Sequence, residues 1–198
     1  MFKGKLVELL SKLFIKLKFT PNLVSIFAFI NTLIAVILFA IIPYPFNSVI
    51  FGIFIFWLML LDGVDGTLAR MTNQITHFGG VLDSVLDRYS DSLLLVGFLF
   101  VYPFDMLFLY VPIQIWVMVA ILGFIMVSYT RSRGEKELKE DLDVGLGART
   151  ERLFILFIFS ILLMPLIGLI ITVFLSHLTV LYRVICFNRL LNKKVNKR

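Results

Sequence analysis

Ile53-Phe54-Ile55-Phe56-Trp57-Leu58-Met59-Leu60-Leu61 runs without a polar residue straight into Asp62-Gly63-Val64-Asp65-Gly66-Thr67-Leu68-Ala69-Arg70. Past the loop 71–78 a second row follows, Gly79-Gly80-Val81-Leu82-Asp83-Ser84-Val85-Leu86-Asp87. Both rows sit at the ends of apolar segments that read as membrane helices, where a carboxylate costs free energy unless something compensates it. On a helical wheel Asp62, Asp65, Gly66 and Ala69 share one face, with Arg70 at its margin. In the next segment Asp83, Asp87 and Asp91 recur at i, i+4 and i+8, and Gly79 and Gly80 precede them on roughly the same side. The minimal side chains beside the acids let helix backbone approach a bulky ligand. If the two helices pack against each other, four to five carboxylates converge, and unneutralised they would repel strongly. Hard oxygen donors in that number suit Mg2+ or Mn2+, and two such ions about 3.5–4 Å apart commonly clamp phosphoryl chemistry.

The rest of the chain has the same apolar character. Its 198 residues are 60% hydrophobic and only 16% charged, against about half and about a quarter in a soluble globular domain. The excess falls in blocks long enough for a bilayer core of about 30 Å, which takes roughly 20 helical residues. Six blocks are expected: 21–42, 46–69, 80–102, 109–130, 151–170 and 171–191, the last two divided between Pro165 and Thr172. The predicted fold is therefore an all-α polytopic membrane protein with six transmembrane helices. An interfacial segment is expected over 1–19, a single membrane domain over 20–192 and a basic tail over 193–198.

All 19 Lys and Arg residues fall at the N-terminus, in 70–88, in 131–152 or in 183–198. The connections Pro43–Ser48, Tyr102–Phe108 and Pro165–Thr172 contain none. Under the positive-inside rule this alternation puts both termini, both acidic rows and the 131–152 loop on the cytoplasmic side of the cell membrane. Residues 2–18 lack a small-residue cleavage site, so no signal peptide is expected. There Phe2, Leu6, Leu9, Leu10, Leu13 and Leu17 share one helical face, while Lys5, Glu8, Lys12 and Lys16 share the opposite one. That pattern predicts an amphipathic helix lying in the interface of the lipid bilayer. Cys186 is alone, which excludes an intrachain disulfide. The net charge of +6 fits an anionic membrane surface, and with no soluble basic face no nucleic acid partner is expected. Thr20-Pro21-Asn22 reads as a helix start, with Thr as N-cap and Pro at the first helical position.

Other readings of the acids exist. Single aspartates at membrane helix ends often cap helices or face solvent, but these share faces with Gly and Ala. A divalent-cation transporter would also place aspartates inside a membrane. Against that, the acids cluster at one surface, no matching row lies toward the other, and the halves show no obvious inverted repeat.

Asp62 to Asp87 resembles, without a departure, the signature of the CDP-alcohol phosphatidyltransferase family: D-x-x-D-G-x-x-A-R, eight residues, then G-x-x-x-D-x-x-x-D. The six-span layout and the interfacial helix are also similar to that family. The resemblance implies an enzyme in which an alcohol hydroxyl attacks the β-phosphorus of a CDP-linked lipid and releases CMP. It implies that Asp62, Asp65 and Asp83 hold Mg2+ or Mn2+, as two ions, with Asp87 also near the metal and acting as general base. It further implies that Asp65, Gly66, Ala69, Arg70 and Gly79 shape the CDP site, and that the protein is a homodimer.

The second half bears on the acceptor. Arg131, Arg133, Arg149, Arg152, Arg183 and Arg189 all lie near the expected depth of the aspartates. Arg at such ends also marks topology by snorkelling, but the guanidinium fork favours bidentate phosphate binding. A phosphorylated polyol acceptor is therefore expected rather than serine, choline or ethanolamine. Leu82 to Asp91, Ser128 to Arg133 and Gly147 to Arg152 resemble the branch that makes phosphatidylinositol phosphate or its archaeal ether-lipid counterpart, in which the acceptor is inositol 1-phosphate. Arg131 stands where that branch often has Lys, and Thr150 where it often has Pro. These departures leave glycerol 3-phosphate as acceptor, or CDP-inositol as donor, as alternatives.

Overall fold

The computed structural model describes residues 2–138, 145 and 147–195. Among the described residues there are seven α-helices: α1 (Phe2–Lys16), α2 (Pro21–Ile41), α3 (Phe46–Met71), α4 (His77–Val101), α5 (Ile113–Leu138), α6 (Arg149–Ile161) and α7 (Pro165–Val195). The basic tail expected over 193–198 is helical to residue 195; residues 196–198 lie outside the described residues, as does most of the expected loop between α5 and α6.

Four helices, α2, α3, α5 and α7, are long and apolar enough to cross a membrane. Large apolar side chains such as Ile37, Phe100, Leu122 and Leu178 stand exposed along the outer surface, where a soluble protein would not leave a continuous apolar coat. α4 has 25 residues but carries Asp83, Asp87, Arg88 and Asp91. α6 has 13 residues, about 20 Å of helix and short of a full crossing.

Several boundaries differ from those expected. The break between the last two helices falls at 162–164, earlier than Pro165–Thr172. Leu163 there adopts a left-handed φ of 61°, and the Met164 N–H bonds back to Phe159 O at 2.8 Å. Pro165 then opens α7, at a first-turn position where its missing N–H is no loss. The fourth apolar block begins as a non-helical stretch with a 3₁₀ turn at Phe108–Tyr110, so α5 starts at Ile113 and runs on to Leu138.

Capping sets the ends near the acids. Thr20 Oγ1 accepts from Leu23 N at the start of α2, with Pro21 at the first helical position. Thr76 Oγ1 accepts from Gly79 N at 3.0 Å and opens α4. The connection 72–76 is short, with Asn73 in the left-handed region, so α3 and α4 run antiparallel with their acidic ends together.

α1 has three faces instead of two. Val7, Ser11 and Phe14 are buried, and α1 packs on α3. Leu9, Leu13 and Leu17, expected on one face with Leu6 and Leu10, point away from the protein and are exposed. Those leucines remain available to lipid, with the exposed Lys5, Lys12 and Lys16 on the neighbouring face. A Cβ on Gly63 would come within 3.1 Å of Val7 Cγ2, so the glycine is what admits α1 so close to the first acidic row.

At the other end, aromatic rings lock the first membrane helices together. Phe39 of α2 stacks on Phe51 of α3 at 4.1 Å, and Phe98 of α4 meets Phe39 edge-on at 5.5 Å. All three are fully buried. Replacing Phe98 with Ala leaves a cavity worth about 3 kcal/mol or more. The Phe98→Ala variant is expected to unfold at clearly lower temperature in detergent than the parent, whereas Phe100→Ala, on the exposed side, is expected to unfold near the parental midpoint.

Candidate active site

α3 and α4 both pack on α2 rather than closely on each other. The condition of direct packing between the two acidic helices is not met, yet their carboxylates converge. Carboxylates on two touching helices would repel, and the gap between the helices instead takes a side chain from a third. Arg149, in the first turn of α6, enters it. Its Nη1 pairs with Asp62 of α3 and, at 2.9 Å, with Asp87 of α4. Its Nε donates to Asp91 Oδ1 at 3.0 Å. Glu151 Oε2 accepts from the Ala148 N–H at 3.0 Å, fixing the helix start from which Arg149 projects.

The remaining acids form a second group. The carboxyl groups of Asp65 and Asp83 touch across the gap. Ser25 of α2 donates its hydroxyl to Asp65 Oδ2 at 3.0 Å, and both residues are buried. Among the described residues no three His, Cys, Asp or Glu side chains form a ready cation cage; the acids are divided between the Arg149 group and the Asp65–Asp83 group. Their chemistry nonetheless fits a hard divalent ion, because four carboxylates in one cleft carry more negative charge than Arg149 offsets.

Beside Asp65 and Asp83 lies a cavity of about 260 Å³ between α2, α3 and the start of α4. Asp65, Gly66, Ala69, Arg70 and Gly79 all line it, together with Asn22, Ser25, Gln74 and Thr76, which sequence reasoning had not placed at the site. The Thr20-Pro21-Asn22 start was the available signal: Asn22 and Ser25 lie three apart on the face of α2 that meets α3. A Cβ on Gly79 would come to 2.9 Å from Thr76 Oγ1 and 3.0 Å from Asn22 Oδ1, so this glycine permits a tight junction. One on Gly66 would meet only Arg70 Nη1, at 3.6 Å, and otherwise project into open space.

The six arginines separate. Arg149, Arg152 and Arg183 come together inside the bundle, close enough for their charges to act on one another. Arg152 and Arg183 are buried. Arg183 Nη1 donates to Val127 O at 2.6 Å, and the Arg152 guanidinium lies 3.9 Å above the Phe124 ring. Arg131 pairs along its own helix with Glu135 at 2.7 Å and Arg133 with Glu137 at 2.9 Å. Arg133 and Arg189 are exposed. His177 sits on α7 with Nδ1 2.9 Å from Val173 O, away from the acids.

A cleft lined by carboxylates at one end of an apolar helical bundle is the chemistry of a membrane protein that handles charged groups. Residues 18–185 match the CDP-alcohol phosphatidyltransferase family, and the chain belongs to it. It is 35% identical over 180 residues to the archaetidylinositol phosphate synthase of Pyrococcus horikoshii, covering 90% of this chain and 88% of that one. The fold is similar to the crystal structure of the Mycobacterium tuberculosis phosphatidylinositol phosphate synthase with CDP-DAG bound. The TM-score is 0.74 at 21% identity, over 91% of this chain and 92% of that one. A second structure of that enzyme holds manganese and citrate and matches with the same TM-score of 0.74 at 21% identity, over 91% of this chain and 88% of that one.

Because the Gly66 Cβ position opens into the cavity, Gly66→Ala is expected to keep the parental unfolding temperature while raising KM for a CDP-lipid about tenfold, equivalent to about 1.4 kcal/mol. Gly80→Ala, whose Cβ would meet nothing within 4 Å, is the comparison for bulk added at the rim. Steady-state CMP release at varied donor concentration measures both.

Proposed function

We propose that this enzyme transfers a phosphatidyl or archaetidyl group from a CDP-linked lipid to inositol 1-phosphate, releasing CMP. The observation that carries the reading is the juxtaposition of a carboxylate-lined cavity on one side of Arg149 with a buried arginine group on the other. The first suits a nucleotide diphosphate; the second suits a phosphate on the acceptor. The Pyrococcus relative is named for the same product class. In this reading α4 and α6 complete six crossings, and the acidic end faces the cytoplasm, from which a soluble acceptor arrives and to which CMP returns.

Asp62, Asp65, Asp83 and Asp87 would hold the divalent ion, Mg2+ or Mn2+, which when bound offsets charge on the diphosphate and on the leaving CMP. Gly66, Ala69, Arg70 and Gly79 bound the nucleotide cavity and leave space for it. Ser25 holds Asp65 by its hydroxyl, fixing one carboxylate oxygen. Asp87 accepts the proton of the acceptor hydroxyl as that oxygen bonds to the β-phosphorus. The bond from that phosphorus to the CMP oxygen breaks, and CMP departs with the electron pair. Arg149, 2.9 Å from Asp87, holds that carboxyl group in place. Arg149 through its Nη2, together with Arg152 and Arg183, takes the acceptor's phosphate, supported by forked donors in a dry setting.

The purified protein is expected to release CMP from a CDP-lipid only when inositol 1-phosphate and Mg2+ or Mn2+ are both present, and EDTA is expected to abolish the reaction. Asp87→Asn is expected to lower kcat about a hundredfold or more. Turnover with glycerol 3-phosphate but not with inositol 1-phosphate would reject the acceptor. Passage of divalent cations through proteoliposomes without any CMP release would reject the enzyme assignment in favour of a transporter.

A further inference from the structure

Asp91 lies one helical turn beyond the family signature and is almost completely buried, at 4% exposed. It is the carboxylate that touches both arginines of α6, the partly buried Arg149 and the fully buried Arg152. Oδ1 accepts from Arg149 Nε at 3.0 Å, and Oδ2 stands 3.8 Å from Arg152 Nη2. Arg149 Nη1 is taken by Asp62 and Asp87. Its Nη2 makes no hydrogen bond among the described residues, and neither do Nε, Nη1 and Nη2 of Arg152. Four buried guanidinium nitrogens therefore cluster without acceptors. That is an unusual concentration of unmet donors, and an oxyanion would satisfy it.

Two guanidinium groups three residues apart on one helix, with Arg183 nearby, repel one another when removed from water. Asp91 offsets that repulsion. By taking the Nε edge of Arg149 it also fixes the plane of the fork: one edge faces the acids of the donor side, and Nη2 is left free. We propose that Asp91 is a positioning residue for the acceptor, holding Arg149 and Arg152 in register so that their free donors receive the acceptor's phosphate. This rests on the reading that those arginines bind that phosphate.

The sign of the effect separates positioning from bulk electrostatics. Removing a negative charge beside a cationic site should by charge alone tighten binding of an anionic acceptor. If Asp91 positions the arginines, Asp91→Asn instead weakens it. Initial rates of CMP release from a CDP-lipid are measured with inositol 1-phosphate and, separately, with free inositol. The expected result for Asp91→Asn is a KM for inositol 1-phosphate raised about tenfold or more, with KM for the CDP-lipid within about twofold of the parent. Preference for inositol 1-phosphate over free inositol is expected to fall in proportion. Asp91→Glu, which keeps the charge but moves it by one methylene, is expected to fall between parent and Asn, and carries the test if Asp91→Asn does not purify as a folded protein. An unchanged or lowered KM for the phosphorylated acceptor overturns the proposal, as does an equal rise in both KM values. Should the parent use glycerol 3-phosphate instead, the acceptor assignment falls while Asp91 is tested on that phosphate; should it use only unphosphorylated alcohols, both fall.

Discussion

The acidic end of this bundle is organised around one guanidinium group. Arg149 reaches Asp62 on α3 and Asp87 and Asp91 on α4, so a single cation ties α6 both to α3, on which it also packs, and to α4, which otherwise meets α3 chiefly through α2. Without it, those carboxylates would face each other across a partly dehydrated gap and drive α3 and α4 apart. With it, three of the carboxylates have a cationic partner, and Asp65 and Asp83, nearer α2, contact each other. Asp65 and Asp83 accordingly face the nucleotide-sized cavity, while the arginine group lies behind. The proposed division of the cleft into a donor side and an acceptor side rests on where this side chain enters.

The two ends of the first membrane helices are built on opposite principles. Phe39, Phe51 and Phe98 fill space with stacked and edge-on rings, an arrangement with few alternatives. The acidic end is lined by Gly66, Ala69, Gly79 and Gly80 and is held by ion pairs and caps. A packed anchor at one end allows the other to stay open without the helices separating. α1 adds support from outside, resting Val7 on Gly63 between the first two aspartates, so the interfacial helix and the acidic row share one contact.

Much of this was legible in the chain, and the parts that were not have identifiable reasons. The signature at fixed spacing placed Asp62, Asp65, Asp83 and Asp87 at one end of two helices, because the period of 3.6 converts spacing into a shared face. Thr20 and Pro21 marked the start of α2 by their capping chemistry. Arg149 was singled out for phosphate, but its pairing with acids 87 and 58 residues earlier depends on tertiary packing that no local pattern carries. Ser25 and Asn22 lacked a charge to draw notice. The α6–α7 break was hidden because apolar residues surround it on both sides, leaving hydropathy nothing to mark; only Pro165 signalled it, and the left-handed turn at Leu163 precedes it. The third face of α1 escaped a two-sided reading, since Leu6, Val7 and Leu10 look alike whether lipid or protein covers them.

The brevity of α6 bears on how the lipid and the water-soluble partner meet. Thirteen residues give about 20 Å of helix against an apolar layer about 30 Å thick. A crossing at α6 would therefore leave about 10 Å to be met by thinning of the layer or by water reaching the charged end of the helix. In either case Arg149 and Arg152 would be hydrated at a depth where a diacyl or dialkyl donor keeps its chains in the leaflet. A short helix in that position would bring the aqueous boundary down to the lipid.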